Sequence, residues 1–214
     1  MMRKTLNSVV LSLLTLTQMA WAAPSEEVQR LQNEWAQAMY QDTGKNRENH
    51  LGKLADQSRA VVAENPKDAD ALIWEGIVLA SYAGNVGGLG ALSLVKEAKL
   101  ALERAIALNP KALDGSAYTS LGSLYYQVPG WPLGFGDDRK AEEFLKLGLS
   151  INPNGIDPNY FYGDFLFRQN RLDEAEAALK KAQRAPARPG RESADEGRQK
   201  EVAALLAKIK ASRG

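Results

Sequence analysis

Residues 98–110 read AKLALERAIALNP, and the same spacing of small residues, leucine and proline returns elsewhere in the chain. Residues 141–153 read AEEFLKLGLSINP, and residues 175–185 read AEAALKKAQRA without the final proline. A weaker copy, LADQSRAVVAENP, occupies residues 54–66. The period of about 34 residues predicts stacked helical units instead of one globular core, and such units usually bind partners rather than catalyse reactions.

A second pattern precedes each of the last three copies. It is a helical segment with a glycine near its middle, at Gly76, Gly122 and Gly163, and with bulky residues three and four positions away. A glycine inside a helix costs about 1 kcal/mol relative to alanine, so it is expected where a neighbouring helix must approach closely. We therefore expect antiparallel helix pairs, each lending an apolar face to the next.

Together these motifs resemble tetratricopeptide (TPR) repeats over roughly residues 30–187. The resemblance implies an all-α, right-handed solenoid of about four helix pairs plus a C-terminal capping helix. Residues 23–67 would hold the N-terminal helices and a degenerate first repeat, and residues 68–187 three further repeats. Residues 188–214 would form a linker and the capping helix, which we expect over about 195–210.

Two Gly-rich inserts interrupt the repeats at residues 83–92 and 128–137. We expect both to be loops on the same edge of the solenoid, followed by helices that start at Ser93 and at Asp137 or Asp138. Neither insert has the spacing or the preceding strand of a phosphate-binding loop. Their glycines are better explained by turns and close backbone approach.

The N-terminus has the pattern of a secretory signal peptide over residues 1–22. Arg3 and Lys4 precede a short apolar run, and the pattern ends in Ala20-Trp21-Ala22, which predicts cleavage between Ala22 and Ala23. The chain has no cysteine, so it has no lipidation site behind the signal and needs no disulfide. These features favour a bacterial periplasmic protein.

Composition argues against several functions. His50 is the only histidine and there is no cysteine, so a metal site of ordinary composition or a catalytic triad is not expected. We expect no cofactor and no enzymatic activity. The formal net charge of +1, with both signs interspersed, argues against nucleic acid as the main partner. No segment of the mature chain has the length and hydropathy for stable membrane insertion.

Candidate binding residues follow from helical spacing around the three glycines. Positions six and three before, and one and four after, should face the concave surface. The candidates on this inner stripe are Asp70, Ile73, Ile77, Ser116, Thr119, Ser123, Tyr126, Asp157, Tyr160, Asp164 and Phe167. The stripe carries no lysine or arginine, which favours an apolar or cationic ligand over a peptide carboxylate.

Aromatic residues are concentrated in one part of the chain, because 11 of the 16 lie between Tyr118 and Phe167. Trp131 and Phe135 of the second insert belong to this group and are added to the candidate site. Two explanations stay open from the sequence alone. The aromatics either pack against the inserts or line a binding site.

The leading hypothesis is a periplasmic scaffold that binds a protein partner, with homo-oligomerisation as a further possibility. A second hypothesis comes from residues 125–145 and 157–166, YYQVPGWPLGFGDDRKAEEFL and DPNYFYGDFL. Over roughly residues 68–182 the chain resembles the TPR component associated with tripartite ATP-independent periplasmic (TRAP) transporters. That resemblance implies a periplasmic solute-binding protein as partner, or a small apolar ligand held in an aromatic-lined cavity.

Overall fold

The computed structural model describes residues 24–213, and the regular structure in that range is helical. The helices are α1 Glu26–Tyr40, α2 Gly44–Glu64, α3 Ala69–Val86, α4 Gly88–Leu108, α5 Ser116–Gln127, α6 Asp138–Ile151, α7 Ile156–Arg168, α8 Leu172–Gln183 and α9 Glu192–Ala211. A short 3-10 turn, Ala112–Gly115, precedes α5. The predicted signal peptide and its cleavage site between Ala22 and Ala23 lie outside the described residues.

Consecutive helices pack as four pairs, α1 with α2, α3 with α4, α5 with α6, and α7 with α8. The glycines predicted to permit close approach do so. A Cβ atom on Gly76 would lie 2.6 Å from Leu102 Cγ, and one on Gly163 would lie 2.7 Å from Leu179 Cγ. Both leucines are fully buried. The prediction of an all-α solenoid of about four helix pairs is therefore confirmed.

The first insert differs from its prediction. Residues 83–92 were expected to be a loop, but helix α3 continues to Val86 and helix α4 begins at Gly88 instead of Ser93. Only Gly87 separates the two helices, and Gly87 and Gly88 have φ values of 67° and 58°. Glycine adopts this left-handed region without the steric penalty of other residues. The chain therefore reverses within two glycines, and the insert lengthens both helices.

The second insert, residues 128–137, is a loop between α5 and α6. The side chain of Asp137 caps α6 by accepting hydrogen bonds from the backbone of Arg139 and Lys140. Phe135 packs edge-on against Tyr125 of α5, with ring centroids 5.5 Å apart. Trp131, at the other end of the loop, is 90% exposed. One aromatic of this loop is therefore part of the core, and the other faces solvent.

The last helix does more than cap the final repeat. Helix α9 begins at Glu192, earlier than predicted, and contacts α7 and α8 as expected of a cap. It also contacts α1 at the other end of the chain. Since α1, α3, α5, α7 and α9 each touch the next, the row of leading helices closes on itself.

The closure depends on a close contact between α9 and α1. A Cβ atom on Gly197 would overlap the ring of Tyr40 at its Cγ atom, so the tyrosine ring rests directly on the backbone of α9. The Tyr40 hydroxyl also donates to Glu201, one turn further along α9. A glycine at 197 is thus what lets the two ends of the solenoid meet.

No helix among the described residues combines the length and the hydropathy needed to cross a bilayer.

The helix-pair glycines give a test of the packing. Gly122→Ala should lower the free energy of unfolding by about 1–3 kcal/mol, because overpacking a core costs this much. Its Cβ would lie 2.8 Å from Leu145 Cγ and 3.0 Å from the Leu145 backbone nitrogen. Gly84→Ala is the matched control, since nothing lies within 4 Å of its Cβ. That variant should be up to about 1 kcal/mol more stable through helix propensity.

Urea denaturation followed by circular dichroism measures both variants. An equal response at the two positions would contradict the close approach of α5 and α6.

Candidate binding surface

The predicted site residues fall into three groups by exposure. Ile73, Thr119 and Ser123 are buried, and Trp131 is exposed. The others are half-buried: Asp70, Ile77, Ser116, Tyr126, Phe135, Asp157, Tyr160, Asp164 and Phe167. The inner stripe is thus largely covered, and three of its polar members, Tyr126, Asp157 and Asp164, are paired with other side chains of the same chain.

Polar side chains of the stripe on α5 and α7 form hydrogen bonds with each other. The Tyr126 hydroxyl donates to Asp164 Oδ2 at 2.8 Å, and Arg168 Nε donates to the same oxygen at 3.1 Å. The Arg168 guanidinium also lies over the Tyr126 ring, 5.1 Å from its centroid. Burial, together with the nearby Asp164 carboxylate, raises the pKa of Tyr126 well above its usual value. Tyr126 therefore acts as a neutral donor that fixes α5 against α7.

Asp157, in the first turn of α7, is the centre of a second polar group. Arg188 Nη1 donates to its Oδ2 at 2.6 Å, and Arg198 Nε donates to its Oδ1 at 2.8 Å. Burial by itself would raise the pKa of Asp157, but the two guanidinium groups lower it to about 2. Each carboxylate oxygen thus serves one arginine, and the carboxylate stays ionised.

The arginines of this group also stack on aromatic rings. The buried guanidinium of Arg198 lies 4.4 Å from the ring centroid of Tyr160 and 4.7 Å from that of Phe161. Arg191 lies 4.8 Å from the ring centroid of Trp74 in α3. Burial and repulsion from Arg188 lower the pKa of Arg191 to about 10. Cations on aromatic faces are stabilised by the ring quadrupole, and more so when water is excluded.

At its Asp157–Tyr160 end the stripe is covered by the chain's own arginines. Sequence analysis suggested that the stripe suits a cationic ligand, and cations do lie there, but they are the chain's own arginines, Arg168 of α7 and those of residues 188–198. The structure adds Arg188, Arg191, Arg198 and Trp74 to the site, none of which the repeat pattern indicated. The signal that could have found them is the run of arginines after Ala185, set against a stripe with acids and no bases.

The aromatic-lined cavity is not found where it was predicted. Trp131 points into solvent, and Phe135 is packed against Tyr125 with Lys99 Nζ 5.8 Å from its ring centroid. Leu89 of the first insert is 84% exposed. Of the two explanations for the aromatics, packing accounts for Phe135. Trp131 does not enclose a ligand cavity in this structure, because its side chain is 90% exposed.

Two open cavities lie instead between α1 and α9, with volumes of about 540 Å³ and 190 Å³. The larger lies beside Tyr40 and Gly197, and the smaller beside Gln37 and Arg191. Their linings mix amide, charged and apolar groups. Both cavities mark the seam where the two ends of the solenoid meet.

One segment of the chain matches a known repeat family. Residues 156–187, which contain α7 and α8, match the family model of the tetratricopeptide repeat. A solved structure with similarity to the chain is a thermophilic TPR protein of Thermus thermophilus, at 19% identity and a TM-score of 0.41. The alignment covers 83% of this chain and 99% of that one. No curated protein sequence matches the chain.

The chain therefore matches the tetratricopeptide repeat over residues 156–187, and its helix pairs build an all-α solenoid. Neither of the two matches names a transporter component.

Asp70 is the third acid of the stripe and, among residues 24–213, has no cation paired with its carboxylate. Burial and the neighbouring Asp68 raise its pKa to about 6. The unfolded value is about 3.9. Because the folded protein holds this proton more tightly, the group favours folding below about pH 4, and that contribution is lost as the pH rises through about 6.

Asp70→Asn should therefore stabilise the protein in a pH-dependent way. We expect the free energy of unfolding to rise by about 1–3 kcal/mol near pH 7.5 and to change little near pH 4. Denaturant titrations of both proteins across this range provide the measurement. A stabilisation of the same size at both pH values would show that the carboxyl does not titrate as described.

Proposed function

We propose that the protein is a TPR scaffold that binds a partner protein in the periplasm and has no catalytic activity of its own. TPR repeats commonly mediate protein–protein contacts, because stacked helix pairs present extended surfaces. The match to the TPR family supports this class of function. The location in the periplasm rests on the signal-peptide pattern of residues 1–22.

One observation carries the proposal, namely the exposed apolar tip of the second insert. We call this tip the insert surface and define it as Trp131 and Leu133, which are 90% and 65% exposed. Tryptophan is rarely left in water without a reason and is enriched among the residues that dominate binding energy at interfaces. Grouped exposed apolar residues mark interaction sites more often than scattered single ones do, and here Trp131 and Leu133 are both exposed in one short loop.

The loop that carries this surface is held in place by hydrogen bonds and by packing. The Gly136 amide donates to the Pro129 carbonyl at 3.0 Å, and the Asp137 amide donates to the Tyr125 carbonyl at 2.9 Å. Phe135 is packed against Tyr125. A loop held in this way loses little conformational freedom when a partner binds, which preserves affinity.

The transporter resemblance suggests a periplasmic solute-binding protein as the partner to test first. Such a protein would meet the insert surface on the outside of the solenoid, where no displacement of α9 is required. The same experiment also detects a second copy of the chain as the partner.

Trp131→Ala tests the role of the insert surface. The tagged protein is cross-linked in the periplasm of its own host, and the recovered partner is quantified by mass spectrometry. Loss of a central interface tryptophan costs about 2 kcal/mol or more, so recovery should fall by about tenfold or more. Because the side chain is exposed, stability should change by less than about 0.5 kcal/mol.

Leu100→Ala is the matched control, since Leu100 is another exposed apolar residue, on α4 and 60% exposed. It should capture the partner like the wild type. Equal recovery with both variants would rule out the insert surface as the docking site.

The proposed location has its own measurement. Periplasmic fractions of the host should contain a protein whose N-terminal residue is Ala23, because the small-residue pattern ending at Ala22 is a signal-peptidase site. N-terminal sequencing or intact mass gives the answer. A protein that retains residues 1–22 in the cytoplasmic fraction would refute the assignment.

A further inference from the structure

The two halves of α9 are held by different forces. The second half begins after Glu201, and just past its end Arg213 pairs with Asp173 of α8. The apolar residues of this half, Val202, Leu205 and Ile209, are buried. In the first half, from Glu192 to Glu201, Ala194 is the one buried side chain that is apolar and larger than glycine.

Besides the Gly197–Tyr40 contact and the hydrogen bond from Gln199 to the Ala182 carbonyl, the first half and the preceding linker are attached to the rest of the protein mainly through arginines. Arg188 and Arg198 bind Asp157, while Arg191 and Arg198 lie on aromatic rings. Segments with few buried apolar contacts open locally at lower free energy than the core. The first half of α9 can therefore leave its position while the second half stays on α8.

The surface under these arginines belongs to other helices. We call it the acidic–aromatic groove and define it as Asp157, Tyr160, Phe161 and Trp74. Tyr160 and Phe161 pack edge-to-face at 5.2 Å, and Trp74 packs against Trp35 of α1 at 5.7 Å. These contacts do not involve α9, so the groove keeps its shape when the arginines leave. It would then present an unpaired carboxylate flanked by aromatic faces.

We infer that the acidic–aromatic groove is a recognition site for an arginine-bearing segment of a partner protein, and that residues 188–201 occupy it as an internal mimic. The inference rests on the proposed function only in that the partner is a protein, and it concerns a surface separate from Trp131 and Leu133. A partner segment would place one guanidinium on each oxygen of Asp157 and stack against Tyr160 and Phe161.

The groove chemistry favours arginine over lysine. A guanidinium is planar, so it can stack on a ring while its edge donates to a carboxylate, as Arg198 does between Tyr160 and Asp157. A lysine ammonium is a compact point charge that cannot do both. The internal segment also competes at high local concentration, on the order of millimolar for a short tether. Binding of an external segment should therefore be weak until the internal one is weakened.

The experiment uses the full-length protein and a fluorescein-labelled peptide of residues 186–202, PARPGRESADEGRQKEV, in an anisotropy titration. The opened variant, Arg188→Ala with Arg198→Ala, should bind this peptide at least about tenfold more tightly than the wild type. Adding Asp157→Asn should abolish the gain, and a peptide with lysine at 188, 191 and 198 should bind at least about tenfold more weakly. Arg213→Ala is the matched control.

Arg213 pairs with Asp173 and Glu176 at the far end of the same helix, so its loss should leave peptide binding at the wild-type level.

A locked variant tests the inference independently of how the opened variant folds. A Cβ atom on Gly197 would overlap Tyr40 Cγ, which is one bond from Tyr40 Cβ. Cysteines at these two positions therefore place their Cβ atoms within about 4 Å, a distance that a disulfide spans. The natural chain has no cysteine to compete. Tyr40→Cys with Gly197→Cys should show no peptide binding when oxidised and should recover binding when reduced.

The inference is overturned if the oxidised and reduced forms bind the peptide equally, or if a folded opened variant binds no better than the wild type. If circular dichroism shows that the opened variant is unfolded, the locked variant decides alone. The oxidised lock should keep its Trp131-dependent partner capture. If neither the opened variant nor the reduced lock binds the peptide while that capture is intact, this inference alone is overturned, whereas capture independent of Trp131 overturns only the proposed function.

Discussion

The position of the first half of the C-terminal helix depends on one carboxylate. Asp157 binds Arg188 and Arg198, which follow it by 31 and 41 residues, and these two contacts fix where the segment before α9 and its first turns must lie. Once Arg198 is placed, Gly197 meets Tyr40 and the row of leading helices closes. Buried ion pairs often add little net stability, because desolvation offsets the attraction, yet removing one partner is strongly destabilising. Asp157 therefore determines where the first half of α9 lies but adds little to the free energy of unfolding.

Stability comes from a different source, the leucines inside each helix pair. Leu102, Leu145 and Leu179 are fully buried, and each lies against the glycine of its leading helix. Burying a leucine contributes about 1.5–3 kcal/mol. These contacts repeat from pair to pair and join neighbours in the chain, so each unit is stable largely through its own pair and the next. The contact between α9 and α1 then joins helix pairs that are already folded.

This division explains what sequence analysis could and could not predict. The glycine–leucine contacts follow from local spacing, so the helix pairs and the solenoid were predictable. Closure depends on the small rotation between successive pairs, which adds up along the chain and leaves no mark in any single motif. The arginines after Ala185 therefore looked like a linker. The prediction for the first insert was wrong for another reason, because its alanines and leucines favour helix and only Gly87 and Gly88 were needed for the turn.

The two candidate surfaces differ in the free-energy cost that a partner meets on binding. Trp131 is already exposed, so a partner that covers it gains buried apolar area without moving any part of the scaffold. The acidic–aromatic groove is filled, so a partner gains only the difference between its own contacts and those of Arg188 and Arg198. Linkage makes this competition reciprocal. The factor by which the first half of α9 lowers the partner's affinity for the groove equals the factor by which the partner lowers the occupancy constant of α9 in the groove. A protein that engages both surfaces would use the first to raise its local concentration at the second, and so could open a groove that the same segment alone would leave closed.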